Sequence, residues 1–266
     1  MGKKQHFKLS LAETAKDAKK TFQIQKLSAY FAASARNEKM IIKICGITSP
    51  ETATACFELG ADMVGLVHFP PSSRHLDLPE LASITHAIAP FRKSGKQIVL
   101  LVVDKIEQKI LRILDVCDHQ FDFVQFYGEE TEVRRLENHV RVLRPVRDEV
   151  TCHRLLAQSD TAFHPNDEPQ FVVELAPGLY PGGNGRCWNW PDAAPFCRRF
   201  PTLLAGGITP ENVAEAIRLV QPLGIDVSSG VESVPGMKDI DKVKRLIENV
   251  RQAVIFGDNN DENHTT

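Results

Sequence analysis

From Ile41 to Val250, short apolar runs alternate with longer amphipathic ones eight times, and this alternation constrains the fold more than any other feature. The runs that read as strands are Ile41–Cys45, Met63–His68, Gln97–Val103, Phe121–Gln125, Val140–Pro145, Gln170–Glu174, Thr202–Ala205 and Ile225–Ser228. Several are almost continuously apolar, as strands are when a parallel sheet buries both their faces. Helix candidates follow over Pro50–Leu59, Pro79–Ile88, Ile106–Cys117, Glu129–Asn138, Thr151–Gln158, Pro191–Arg199, Pro210–Val220 and Met237–Val250. Ser49-Pro50 and Thr209-Pro210 read as an N-cap followed by a first-turn proline. An open doubly wound sheet is the alternative, but eight regular units predict closure into a (β/α)8 TIM barrel.

The alternation covers residues 40–256, which read as the barrel domain. Residues 1–39 read as an N-terminal extension, polar and basic from Met1 to Lys8. A weak helical spacing follows, carried by Leu11, Ala15, Ala18 and Phe22, so a docked helix and a frayed extension both stay open. Glu13, Asp17 and Glu38 dilute the charge bias of a transit peptide. Ser159–Pro169 is polar and reads as a loop before the sixth strand; residues 257–266 read as a disordered tail.

Composition narrows the function classes. The chain has 266 residues, of which 42% are hydrophobic, with a net charge of −2. Such a balance creates no field that draws nucleic acid or an anionic membrane, and neither is expected as a partner. None of the six cysteines forms a CxxC pair or a zinc-spaced cluster with histidine, so no metal is expected. The chain begins without the apolar core of a secretory signal, and no apolar run reaches the ~20 residues of a membrane span. A reduced, cytoplasmic protein is the expectation.

In a parallel barrel the chemistry sits at the carboxyl ends of the strands. The first strand ends in Lys43-Ile44-Cys45-Gly46, which places a thiol there. Cys45 is either a small core residue or a group doing chemistry. Arg74 follows the Pro70-Pro71-Ser72-Ser73 turn, either as a solvated arginine or as a planar fork for a carboxylate or phosphate. Glu174 ends a buried strand, as a paired structural acid or as a general acid with a raised pKa. Asp226 either braces its loop or holds substrate hydroxyls. Gly182-Gly183-Asn184-Gly185, Gly206-Gly207 and Ser229-Gly230 let backbone N–H groups approach an anion. The last two are expected beside helix N-termini, which suits phosphate.

These pieces resemble, in order, the phosphoribosylanthranilate isomerase family. The matching segments are Lys43-Ile44-Cys45-Gly46, Gly60-Ala61-Asp62, Ser73-Arg74, Val124-Gln125, Gly182-Gly183-Asn184-Gly185, Ala205-Gly206-Gly207-Ile208 with Pro210-Glu211-Asn212-Val213, and Asp226-Val227-Ser228-Ser229-Gly230-Val231-Glu232. The resemblance covers about Ile41 to Val250. It implies a (β/α)8 enzyme of tryptophan biosynthesis performing an Amadori rearrangement without metal or cofactor. Its substrate is a phosphorylated sugar–anthranilate conjugate, and the protein is a monomer or a homodimer. By resemblance, Cys45 is the general base and Glu174 the general acid. Arg74 faces the anthranilate carboxylate, and Asp226 the sugar hydroxyls or the cysteine region. Gly183, Gly206, Gly207, Ser229 and Gly230 hold the phosphate.

The chain departs from the family at three places. Glu174 stands where the family has aspartate, Gln125-Phe126-Tyr127-Gly128 replaces Gln-Leu-His-Gly, and Trp188-Asn189-Trp190 replaces Phe-Asp-Trp. These changes keep two alternatives in view: a related phosphosugar barrel enzyme with another substrate, and a non-catalytic phosphate-ligand binding homologue.

Overall fold

The computed structural model describes residues 40–103, 106–158, 168–174 and 189–257. The extension over 1–39, most of the Ser159–Pro169 loop, the Gly182–Gly185 loop with Gly183, and residues 258–266 lie outside the described residues. Eight parallel strands close into a barrel, each paired with its sequence neighbours and β1 with β8. They are β1 (Ile41–Cys45), β2 (Met63–His68), β3 (Gln97–Val103), β4 (Phe123–Tyr127), β5 (Arg141–Val146), β6 (Phe171–Val173), β7 (Thr202–Ala205) and β8 (Gly224–Val227). The helices are α1 (Pro50–Leu59), α2 (Leu78–Ile88), α3 (Glu107–Val116), α4 (Glu130–Leu136), α5 (Glu149–Gln158), α6 (Ala194–Cys197), α7 (Val213–Val220) and α8 (Ile240–Gly257).

The period-two rule of a strand explains the two cores. Ile42, Ile44, Val64, Leu66, Ile98, Leu100, Val124 and Phe126 point outward and are buried under the helices. Alternate residues point inward. Met63, Val99, Phe123, Leu143, Val172 and Leu203 make an apolar plug. One step further along the strands come Lys43, Gln125 and Asp226, all buried. Above them Cys45, Val67, Leu101, Val103 and Tyr127 form the uppermost cluster. The polar layer thus rests on a dry floor and opens toward the carboxyl ends.

The caps follow local chemistry. Ser49 accepts from Thr52 N at 3.2 Å, Pro50 occupies the first turn of α1, and Gly60 ends it at φ 113°. Asp77 and Glu80 form a reciprocal capping box on α2. On α7, Val213, Ala216, Ile217 and Val220 are buried at helical spacing. Among the described residues no helix is long and apolar enough to cross a membrane.

Most expected elements lie within two residues of those observed, and four corrections have clear causes. Strand β4 starts at Phe123 rather than Phe121, because Asp122 is a clamp at the foot of the barrel. Its N–H donates to Ile98 O at 2.8 Å, and its carboxylate accepts from Ile98 N at 2.9 Å and from Arg92. The strand therefore runs on through Tyr127. The helix expected over Pro191–Arg199 is a 3-10 turn, Trp190–Ala193, then the single turn α6; Pro195 has no N–H to continue a helix. Thr209 is not the cap of α7: the helix begins at Val213 after Asn212. The helix expected from Met237 starts at Ile240. Met237–Lys238 instead forms strand β10, antiparallel to β9 (Glu232–Val234), with Gly236 at φ 88° between them.

Candidate active site

A pocket opens at the carboxyl ends of the strands. Cys45, Arg74, Glu174, Gly206, Gly207, Asp226, Ser229 and Gly230 all line it. The strand-end residues singled out in the sequence therefore meet, apart from Gly183, which lies outside the described residues.

Cys45 is held where β1 turns. Gly46 N and Ile47 N both donate to Gly65 O, at 2.8 and 3.0 Å, folding the chain over β2. Gly46 has φ 78°, and a side chain there would collide with Arg74. Gly65 is required for space: a Cβ on it would sit 2.7 Å from Cys45 Sγ. Beneath the thiol lies Lys43, fully buried, with Nζ 2.8 Å from Asp226 Oδ2 and 2.9 Å from Gln125 Oε1. Burial works against the Lys43 charge, but Asp226 and then Cys45 outweigh it and raise the pKa above its ordinary value. Burial pushes the Cys45 thiol up. Lys43 and Lys238 pull it back, while Asp226 pushes it further.

A directional chain crosses from Lys43 to Tyr127. An ammonium only donates, so the Gln125 oxygen faces it and the Gln125 amide hydrogens face the other way. Gln125 Nε2 accordingly donates to Tyr127 Oη at 3.0 Å. Burial, with Glu174, Asp226 and Cys45 nearby, holds the Tyr127 pKa well above 10. Its hydroxyl keeps its proton, and the bond from Gln125 aims that proton away from Gln125.

Glu174 is buried just past the end of β6, its N–H donating to Val146 O at 2.9 Å. Burial first, then the neighbouring Asp226 carboxylate, raise its pKa to about 7, against the pull of Arg147 and Lys43. An acid titrating there can both hold and release a proton at neutral pH. Asp226 accepts from Lys43 through Oδ2, while its buried Oδ1 has no partner among the described residues. An unsatisfied buried acceptor lining a pocket is a place for a ligand hydroxyl.

Arg74 departs from the simple expectation of a fork aimed at a ligand. Its Nε and Nη2 donate to Glu232 Oε1 and Oε2 at 2.8 and 2.6 Å. Glu232 also accepts from Lys238 Nζ at 2.7 Å, and Lys238 reaches Ser228 O at 3.1 Å. Burial raises the Glu232 carboxyl, but Arg74 and Lys238 together hold it below its ordinary value. Burial lowers the Lys238 pKa despite Glu232. The β9–β10 hairpin thus braces both Arg74 and the turn after β8.

The two glycine turns touch. A Cβ on Gly230 would overlap the Ile208 carbonyl. Gly206 and Gly207 have φ 87° and 70°, which side chains avoid. Trp190 Nε1 donates to Gly206 O at 3.0 Å and Asn212 Nδ2 to Gly207 O at 2.9 Å. A trans peptide points its N–H opposite its C=O, so the N–H groups of Gly207 and Ile208 face away from these two anchors. Neither turn opens a regular α-helix as expected. Gly206-Gly207 lies well ahead of Val213, and Ser229-Gly230 sits in a 3-10 turn, Ser229–Val231. Among the described residues, no three His, Cys, Asp or Glu side chains gather where they could hold a metal.

Sequence reasoning gave no role to Lys43, Tyr127, Glu232, Lys238 or Asn212. Lys43 carried a usable signal, because a lysine inside an apolar strand, two residues before Cys45, must share its inward face. The Glu232–Lys238 brace had none, since it depends on a hairpin whose second strand, Met237–Lys238, falls at the start of a predicted helix.

A family model described as N-(5'phosphoribosyl)anthranilate (PRA) isomerase matches residues 42–249. The N-(5'-phosphoribosyl)anthranilate isomerase of Desulfatibacillum aliphaticivorans is 39% identical over 228 residues, covering 80% of this chain and 94% of the relative. Among solved structures, the phosphoribosyl anthranilate isomerase of Thermotoga maritima superposes with a TM-score of 0.68 at 32% identity, covering 80% of this chain and all of the other. A phosphoribosyl anthranilate isomerase complexed with reduced 1-(O-carboxyphenylamino)-1-deoxyribulose 5-phosphate gives 0.65 at 31%, with the same coverage.

Proposed function

The chain belongs to the N-(5'-phosphoribosyl)anthranilate isomerase family, and from that premise we propose how its strand ends share the reaction. It is an isomerase of tryptophan biosynthesis. It converts N-(5'-phosphoribosyl)anthranilate into 1-(2-carboxyphenylamino)-1-deoxyribulose 5-phosphate by an Amadori rearrangement.

Glu174 gives its proton to the furanose ring oxygen. The C1–O bond breaks, and the anthranilate nitrogen supplies the electron pair that forms the C1=N iminium. The Cys45 thiolate then removes the C2 proton. The C2–H electron pair forms C1=C2, and the iminium is neutralised as an enaminol. Loss of the C2 hydroxyl proton and protonation at C1 give the aminoketose. Asp226 Oδ1 accepts a sugar hydroxyl. The Gly206-Gly207 and Ser229-Gly230 turns hold the phosphate with backbone N–H groups, and Gly183 joins them. The Nη1 edge of Arg74, turned away from Glu232, meets the anthranilate carboxylate. The glutamate at 174 reaches ~1.5 Å further than aspartate, a shift of the size that can cost about 10²-fold.

The observation that carries this reading is the convergence of Cys45 and a near-neutral Glu174 on one pocket beside two touching glycine turns. The test is a fluorescence assay of the purified chain with freshly made phosphoribosylanthranilate. Loss of substrate fluorescence at an enzyme-dependent rate is expected. A folded chain that leaves the substrate at its spontaneous decay rate overturns the reading. Restored growth of a tryptophan auxotroph lacking this isomerase is the cellular counterpart.

A further inference from the structure

Lys43 is a fully buried ammonium in the middle of the barrel. Removing such an ion from water costs several kcal/mol unless every donor is used. An ammonium has three donors. One goes to Asp226 on β8 and one to Gln125 on β4. Two residues on, on the same inward face of β1, stands Cys45, whose thiol interacts electrostatically with Lys43. Gly65 on β2 leaves the thiol the room it needs.

We propose that Lys43 is a positioning residue for the isomerisation: its third N–H is aimed at Cys45 Sγ and holds the thiolate that takes the sugar proton. The proposal rests on Cys45 being the base. Lys43 stays an ammonium throughout; the proton passes from C2 to sulfur, and the lysine exchanges none.

The other groups facing Cys45 fit this role. Asp226 from β8 opposes the thiolate, and Tyr127 from β4 is a neutral hydroxyl. Lys238, on β10, adds a second positive charge that favours the thiolate. Glu174 beyond them faces Asp226 and Lys43. The thiol is pushed up while Glu174 titrates near 7, so the competent pair, thiolate with carboxylic acid, is a minor form of the free enzyme. With this order of titration, kcat/KM is flat between the two pKa values. Its height scales with the thiolate fraction, and its alkaline break belongs to Cys45.

The experiment uses the full chain as wild type, Lys43→Met, Lys43→Arg, Asp226→Asn and the double variant Lys43→Met/Asp226→Asn. Cys45 alkylation by iodoacetamide is followed from pH 6 to 10 by peptide mass spectrometry, alongside kcat/KM. Lys43→Met should slow alkylation at pH 7.5 by about tenfold or more, with recovery at higher pH. The kcat/KM plateau should fall by a similar factor, with its alkaline break moved up. Lys43→Arg should retain most of both. If Lys43→Met leaves Asp226 unpaired and unfolds, the double variant compared with Asp226→Asn should show the same displacement. An unmoved alkylation profile overturns the proposal and leaves Lys43 as a tie between three strands. A shift in alkylation without a shift in kcat/KM overturns Cys45 as the base, and the proposal with it.

Discussion

Replacing Glu174 by glutamine tests whether the protein stores a proton at the end of β6. The folded state holds this carboxyl at about 7, against an ordinary value of 4.5. Below 4.5 both folded and unfolded chains are protonated there, and the stabilising contribution is fully present. As pH rises from 4.5 toward 7, the unfolded chain gives up its proton while the folded chain keeps it, so stability drains away; above 7 nothing more is lost. Between pH 5 and 8 the wild type should therefore lose about 2–3 kcal/mol from this group, an upper bound for a site open to a pocket. Glutamine has no proton to lose, so the variant should gain that amount relative to wild type over the same interval. For a domain of this size, that gain amounts to about 4–12 °C in Tm. Calorimetry of both proteins at pH 5, 6, 7 and 8 reads it directly. The same substitution should lower kcat/KM at pH 7 by about 10²–10⁴-fold, since the acid is gone. Glu174→Asp keeps a proton and should retain clearly more activity than the glutamine variant. A Tm difference that stays flat from pH 5 to 8 would show that Glu174 is not held protonated. Equal activity of the two variants would remove it as the acid.

Cys45→Ala should keep the fold and lose about 10²–10⁴-fold in turnover; activity within a few-fold of wild type would make the thiol a packing residue. Gly230→Ala forces a methyl into the Ile208 carbonyl, so the two turns must separate. Phosphate or sulfate, expected between them in a ligand structure, should then bind about tenfold more weakly or worse, read by KM and by calorimetric titration; unchanged affinity would place the phosphate elsewhere. Glu232→Gln releases the bidentate hold on Arg74, and KM should rise by more than kcat falls, because the arginine's aim is lost while base and acid stay; an effect on kcat alone would refute a role in binding.

Much of the candidate site is legible in the sequence because a parallel barrel converts linear order into geometry. Residues at strand ends must share one rim, and the two-residue period of a strand says which side chains face inward. Cys45, Glu174, Asp226 and the glycine turns follow from that rule alone. The inward layer of Lys43, Gln125 and Asp226 is half visible: its members can be found, but not the bonds among them. Those bonds depend on stagger between strands, which sets Lys43 beside Asp226 in register and brings Gln125 across to it. Arg74 shows the limit most sharply. Its charge and position suggest a fork for a ligand, yet its partner Glu232 is 158 positions away, on a hairpin that local periodicity does not reveal. Local periodicity carries the strands, helices and their faces, because those are set by neighbours in the chain. The charge partners of Arg74, Cys45 and Glu174, and so the states in which their protons sit, were decided only when closure of β1 on β8 enclosed them together in one poorly hydrated space.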